Sequence, residues 1–210
     1  LGSRHGRRKS EYFLAEGLRC AVEAVHRRVD WIAWALIVPD RVPEDFLARL
    51  HNMGVDVVQT DEQQFAALAP TESPQGVLLV LRRPPEPEVR PEPYVLVLDR
   101  LADPGNLGTI IRIADWFGIR QVVCSLNSAE VYNPKVVQAS MGSIARVRIE
   151  YAALGDFLRE LPEDLRVFGA LLGGENIYGT NLSGKGVILI GNESRGISAD
   201  LLPFITSRIS

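Results

Sequence analysis

Gly186-Val187-Ile188-Leu189-Ile190-Gly191-Asn192-Glu193-Ser194-Arg195-Gly196 is the stretch from which the rest of the chain can be read. Val187 to Ile190, with Gly186 ahead of them, make a short apolar run, the pattern of a buried strand. The run enters a loop in which Gly191 and Gly196 bracket one carboxylate, Glu193, and a helix-like stretch from Ser198 to Phe204 follows. A strand that stops at a glycine loop and restarts as a helix is how open α/β sheets build ligand crevices at the carboxyl ends of their strands. Glycine there lets main chain approach a ligand with no Cβ in the way. Taken alone, the stretch equally describes a tight turn with an exposed Glu.

Outward from it, strands and helices alternate. Strands are expected at Tyr94–Leu98, Gln121–Cys124, Arg146–Ile149 and Val167–Ala170 as well as Val187–Ile190. Helices are expected at Leu107–Phe117, Pro134–Met141, Leu154–Leu161 and Ala199–Ile205. Alternation of this kind predicts a parallel sheet with helices on both faces. Before it, residues 82–93 hold five prolines in twelve residues, a semi-extended linker. The boundaries are therefore 1–83, a small α/β domain; 84–93, the linker; and 94–210, the larger α/β domain. In the small domain strands are expected at Tyr12–Glu16, Ala33–Val38, Val55–Val58 and Val77–Leu81. Helices are expected at Gly17–Arg28, at Glu44–Met53 with Gly54 as C-cap, and at Asp61–Leu68 with Thr60 as N-cap.

Hydrophobic residues make up 46% of 210, enough for a core, and no apolar run approaches the roughly 20 residues of a membrane span. Cys20 and Cys124 lie in different segments, which argues against a disulfide or metal site and for a reducing cytoplasm. The net charge of −3 hides a basic start containing Arg4, Arg7, Arg8, Lys9, Arg19, Arg27 and Arg28. Such a cluster suits nucleic acid, and equally a solvated terminus. The first reading makes Arg4, Arg7, Arg8 and Lys9 contributors of RNA affinity.

Three further stretches can carry chemistry. In LDRLADPGNLGTIIRIADWFG, Leu98–Gly118, Asn106 is placed to cap a helix whose buried stripe is Leu107, Ile110, Ile111 and Ala114. Arg112 falls off that stripe between Thr109 and Asp115, to grip a phosphate or to pair with Asp115. In NPKVVQASMGS, Asn133–Ser143, Lys135 sits at a helix start, electrostatically poor unless it faces an anion. GALLGGENIY, Gly169–Tyr178, reads as a strand ending in a glycine-rich loop. Neither GxGxxG nor GxxxxGK[ST] occurs.

In their order and spacing, DPGNLGTIIRIADWFGI, NPKVVQASMGS, GALLGGENIY and ILIGNESRGIS resemble the SpoU/TrmH family of RNA ribose 2′-O-methyltransferases. The N-terminal RRKSEYFLAEGLRCAVEAV is similar to the start of that family's substrate-binding domain. The resemblance implies a SPOUT-type parallel sheet whose C-terminal part is threaded into a trefoil knot, with S-adenosylmethionine bent in the knot loops. It implies a homodimer in which the motif-one Arg of one subunit completes the site of the other, and no metal. Asn106, Arg112 and Glu193 are then catalytic. Leu171, Leu172, Ile190, Gly191, Asn192 and Gly196 line the cofactor. A guanidinium has a pKa of roughly 12.5–13.8, so Arg112 suits an electrostatic clamp better than a base. The substrate implied is structured RNA, ribosomal in preference to transfer RNA.

The family's third motif, a Ser-Leu-Asn segment opening a C-terminal helix, does not occur before Ser210, so a missing C-terminal knot segment is expected. Two other readings stay open: a non-catalytic RNA-binding module on the same fold, and a base-methylating relative with the same knot.

Overall fold

The computed structural model describes residues 4–71, 73–84, 93–182 and 184–210, without the side chains of Arg4, His5 and Arg8. The linker therefore lies almost wholly outside the described residues, as do the side chains of Arg4 and Arg8 named above. Chain order is α1 (Arg4–Lys9), β1 (Tyr12–Glu16), α2 (Leu18–Arg27), β2 (Ile32–Ile37), α3 (Glu44–Asn52), β3 (Asp56–Gln59), α4 (Glu62–Leu68), β4 (Val77–Arg82) and β5 (Tyr94–Leu98). There follow α5 (Pro104–Trp116), β6 (Gln121–Ser125), α6 (Pro134–Ser140), β7 (Arg148–Ala152), α7 (Leu154–Arg159), β8 (Val167–Glu175), β9 (Gly186–Ile190) and β10 (Ser207–Ile209).

Two compact units emerge: Leu1–Pro87 with Glu130–Ala145, and Glu88–Ala129 with Arg146–Ser210. Sequence had placed 130–145 with the larger domain. Instead, Val137 of α6 packs into the core of the N-terminal unit beside Phe13, Cys20 and Ala24.

That unit is built on a sheet of order β1-β4-β2-β3, antiparallel except for the β2–β3 pair. The two-residue side-chain period splits its strands cleanly. Phe13, Ala15, Ala35, Ile37, Leu79 and Leu81 face α2, α3 and α6, while Leu36, Val38 and Leu78 cover Phe65 of α4. The cap of α4 is Asp61, whose carboxylate accepts from the Gln64 N–H at 2.7 Å, and not Thr60. A charged acceptor gains more from the helix dipole than a hydroxyl does.

Arg7 is a correction to the solvated basic terminus. It is only 6% exposed, and its Nε donates to Glu130 at 3.0 Å. Arg83 joins them: its guanidinium lies 3.6 Å from Glu130, donates to the Arg7 carbonyl and stacks over Tyr132. A buried guanidinium needs a partner, and Glu130 supplies it, so Arg7 is unavailable to RNA. Glu130→Ala is expected to cost about 3 kcal/mol, because it strands Arg7. A chemical-denaturation midpoint measures this; an unchanged midpoint contradicts the pairing.

The second unit is one six-stranded, all-parallel sheet of order β10-β8-β9-β5-β6-β7. One face buries Val95, Val97, Val123, Val187 and Leu189 against α7 and Leu201. From β5 the chain lays β6 and β7 outward on one side, then crosses to place β8, β9 and β10 on the other. β5 and β9 are neighbours from which the chain goes on to strands on opposite sides of the sheet, which is the switch point where open α/β sheets bind ligands.

Four differences from expectation in this unit have a clear physical cause. β7 begins at Arg148, because a 3₁₀ turn at Ser143–Ala145 precedes it and Arg148 pairs with Gln121. β8 runs on to Glu175 through the stretch read as loop, paired by β10. The segment Ala199–Phe204 is 3₁₀ and not α, since Pro203 within it cannot donate. α5 starts at Pro104 with Asp103 as its cap, the subject of the next section.

Candidate active site at the β5–β9 switch point

Two loops meet beyond the carboxyl ends of β5 and β9. The Asp99 N–H donates to the Ile190 carbonyl at 2.8 Å, extending the pairing past both strands. Asp99 is buried, and its Oδ2 accepts from the N–H (2.7 Å) and Oγ (2.5 Å) of Ser198, tying the far end of the glycine loop down. Arg100 follows with φ 53°, a left-handed conformation that costs a non-glycine residue about 1 kcal/mol. It is held there from both sides: its N–H donates to Ser125 Oγ at 2.8 Å, and its carbonyl accepts from Asn192 Nδ2 at 2.8 Å.

The glycine loop closes on itself. Asn192 and Gly196 exchange both main-chain hydrogen bonds, at 3.0 and 2.9 Å, while Asn192 Oδ1 accepts from the N–H groups of Ser194 and Arg195. A Cβ on Gly191 would lie 2.1 Å from the Gly196 carbonyl carbon, so only glycine allows this closure. Glu193 sits at the exposed tip of the turn.

Asn106 was expected to cap α5; Asp103 does so, accepting from the Asn106 N–H at 2.7 Å. Proline is favoured at the first helical position, so Pro104 moves the cap to Asp103. The shift frees the Asn106 amide, whose Nδ2 donates to Glu193 Oε1 at 3.0 Å; Asn192 Nδ2 reaches Oε2 at 3.2 Å. The Asn106 hydrogen bond, with main-chain N–H groups of the two loops, holds the Glu193 carboxyl below its ordinary range. Glu193 is therefore a fixed anion at neutral pH. With the folded pKa depressed, this interaction is complete above the unfolded-state pKa and is lost as pH falls through the folded one. Asn106→Ala is expected to raise the Glu193 pKa, read by NMR titration of its carboxyl carbon; an unmoved pKa contradicts the contact.

Arg112 is exposed on α5. It follows Asn106 by six residues, which in a helix is about 9 Å along the axis and about 120° around it. The two side chains therefore leave the helix in different directions. The alternative of an Arg112–Asp115 pair has a competitor, since Asp115 bonds Arg146 at 2.7 Å. Along α5, Ile113, Trp116 (85% exposed) and Phe117 (74%) form an apolar strip beside Arg112.

Ile190 ends β9, and Leu171 and Leu172 lie on β8, with Leu172 fully exposed. Lys135 is exposed too, but on α6, in the other unit, where Asn133 caps the helix by accepting from the Lys135 N–H. Sequence reasoning missed Asp99, Arg100 and Ser198. A lone Asp at a strand end carries no periodic signal, although its place just beyond β5 marks the switch point. Among the described residues, no group of His, Cys, Asp and Glu could hold a metal ion, and no helix is long and apolar enough to cross a membrane.

A parallel sheet with an anion fixed at its switch point, beside a closed glycine loop, is the arrangement in which open α/β proteins place a ligand. Comparison with known proteins makes this specific. The model of the SpoU rRNA Methylase family matches residues 93–210, and that of the MRM3-like substrate binding domain matches residues 1–79. The chain belongs to the SpoU rRNA methylase family. The 23S rRNA (guanosine(2553)-2′-O)-methyltransferase RlmP of Bacillus subtilis is 32% identical over 206 residues, covering 96% of this chain and 80% of that one. A Porphyromonas gingivalis protein assigned to the TrmH family of RNA methyltransferases superposes with a TM-score of 0.82 at 33% identity, over 100% of this chain and 83% of that one. An rRNA methyltransferase from Sinorhizobium meliloti, solved with AdoMet bound, gives 0.82 at 26% identity, over 99% and 81%.

Proposed function

We propose that the protein transfers a methyl group from S-adenosylmethionine to a ribose 2′-hydroxyl of ribosomal RNA. The observation that carries the reading is the Asn106–Glu193 pair closed across the two switch-point loops. The residues present suit the cofactor. Leu172 offers an uncovered apolar side chain on β8 for an adenine ring, and Gly191 and Gly196 offer bare main chain. The fixed Glu193 anion favours a cation close by. When bound, the cofactor supplies an electrophilic methyl on sulfonium.

The chain's own residues do the rest. Asn106 and Glu193 orient the ribose hydroxyl, and Arg112 clamps the neighbouring phosphate and the negative charge that develops on the hydroxyl oxygen as its proton passes to solvent water. Arg112 leaves α5 on a different side from Asn106, beside the exposed Trp116 and Phe117. An apolar strip of that kind is a site for a partner. A homodimer built on it lets Arg112 complete the partner subunit's site. The trefoil knot is part of this proposal, with β8 and β10 packed so closely that a Cβ on Gly174 would lie 2.5 Å from the Ile209 main chain. A methyl on sulfonium is already an activated electrophile, so the proposed reaction asks for no metal, and the two free cysteines suit a reducing cytoplasm.

The test is methyl transfer from labelled S-adenosylmethionine to purified ribosomal and transfer RNA. Incorporation into ribosomal RNA is expected. Cofactor-independent RNA binding with no transfer would favour the non-catalytic module.

A further inference from the structure

The basic residues near the N-terminus divide into two kinds. Arg7 is neutralised by Glu130. A second group is not neutralised. α2 closes with His26 and Arg27 in its last turn and Arg28 at its C-cap, and the last turn of α3 carries Arg49 and His51. The two helix ends meet: Arg49 Nη1 lies 2.7 Å from His26 Nε2. The Arg28 guanidinium lies over the Trp31 ring, 5.1 Å from its centroid. Among the described residues no carboxylate pairs with Arg27, Arg28 or Arg49. Asp30 is the one acid in the 26–31 stretch.

Cations in the last turn of a helix offset its dipole, which accounts for each helix separately. It does not account for two such ends placed side by side, where guanidiniums repel one another. A polyanion relieves that repulsion. Stacking on Trp31 holds the Arg28 fork in a fixed plane, the preorganised geometry with which arginine meets phosphate. Arginine beside a half-buried aromatic also suits RNA better than an acidic protein, because unpaired bases stack on such faces.

We propose that Arg27, Arg28 and Arg49, set around His26 and Trp31, grip the phosphate backbone of the substrate RNA. The proposal rests on the methyltransferase reading above and moves the RNA contact of the N-terminal unit from the 4–9 segment to the ends of α2 and α3. The test is salt-dependent filter binding of a ribosomal RNA fragment to the full chain and to a triple variant, Arg27→Gln, Arg28→Gln, Arg49→Gln. Three lost phosphate contacts are expected to flatten the slope of log K against log salt by about 2, and to weaken binding on the order of tenfold. The affinity for S-adenosylmethionine, read by calorimetry, stays unchanged. The single variant Arg27→Gln, whose side chain has no structural partner, is expected to flatten the slope by roughly 0.7 and guards against misfolding of the triple variant. Unchanged slopes in both variants, with wild-type protein that binds RNA and transfers methyl, overturn the proposal alone. Failure of the wild-type protein to transfer methyl is a separate result, which overturns the reading beneath it.

Discussion

Arg112→Ala is expected to slow methyl transfer by about 10²–10³-fold, the usual effect of removing one group that stabilises developing charge. Cofactor affinity should stay close to wild type, because Arg112 leaves α5 on a different side from the Asn106–Glu193 pair. The dimer reading adds a sharper test. Arg112→Ala and Glu193→Ala subunits, each inactive alone, are mixed and allowed to exchange. If Arg112 works in the partner's site, half of the dimers are mixed and each holds one complete site, so about a quarter of wild-type activity returns. Single-turnover transfer and calorimetry read both quantities. Near-normal turnover in Arg112→Ala would remove the residue from the chemistry. A mixture that stays inactive would place its action within its own subunit.

Gly191→Ala is the second large effect expected. Its Cβ would stand 2.1 Å from the Gly196 carbonyl carbon, 2.2 Å from the Ile197 nitrogen and 2.5 Å from the Gly196 oxygen. All three are main-chain atoms, so no rotamer relieves the overlap and the loop must open. Opening breaks the Asn192–Gly196 pair, shifts Glu193 away from Asn106, and pulls on the Ser198–Asp99 contact. A misplacement of about 1 Å is worth on the order of 10²-fold in rate, and the same loop lines the proposed cofactor crevice. Loss of transfer and of cofactor binding is expected, with the sheet intact by circular dichroism. Gly184→Asn is the matching control. Gly184 has φ 75° with open space around it and lies outside the glycine loop, and Asn tolerates that conformation, so this variant should retain most activity. Wild-type cofactor affinity in Gly191→Ala would show that the closed loop is not needed.

The parallel sheet was readable in the sequence because its strands are short apolar runs separated by helical periodicity, and Tyr94–Leu98 and Val187–Ile190 fall almost where expected. The Asn106–Glu193 contact was not readable. Two residues 87 apart meet only through the β5–β9 register, and Asn106 is free to do so only because Asp103-Pro104 takes over the cap. Arg7 misled for a similar reason. A basic run looks solvated until a carboxylate 123 positions away arrives to bury one member of it. The grouping of 130–145 with the N-terminal unit also escaped, since the apolar stripe of α6 names no partner. Asp99 illustrates the remaining gap: a buried carboxylate that organises a loop is silent until its hydrogen bonds are seen.

The central claim is tested most directly by locating the methyl group. Ribosomal RNA treated with the protein and labelled S-adenosylmethionine is digested to nucleosides and fragmented by mass spectrometry at the glycosidic bond. The account predicts that the label stays with the ribose fragment, and that the same position becomes resistant to alkaline cleavage, because its 2′-oxygen can no longer attack the phosphate. Label carried on the base fragment, with alkaline cleavage unchanged, would contradict it.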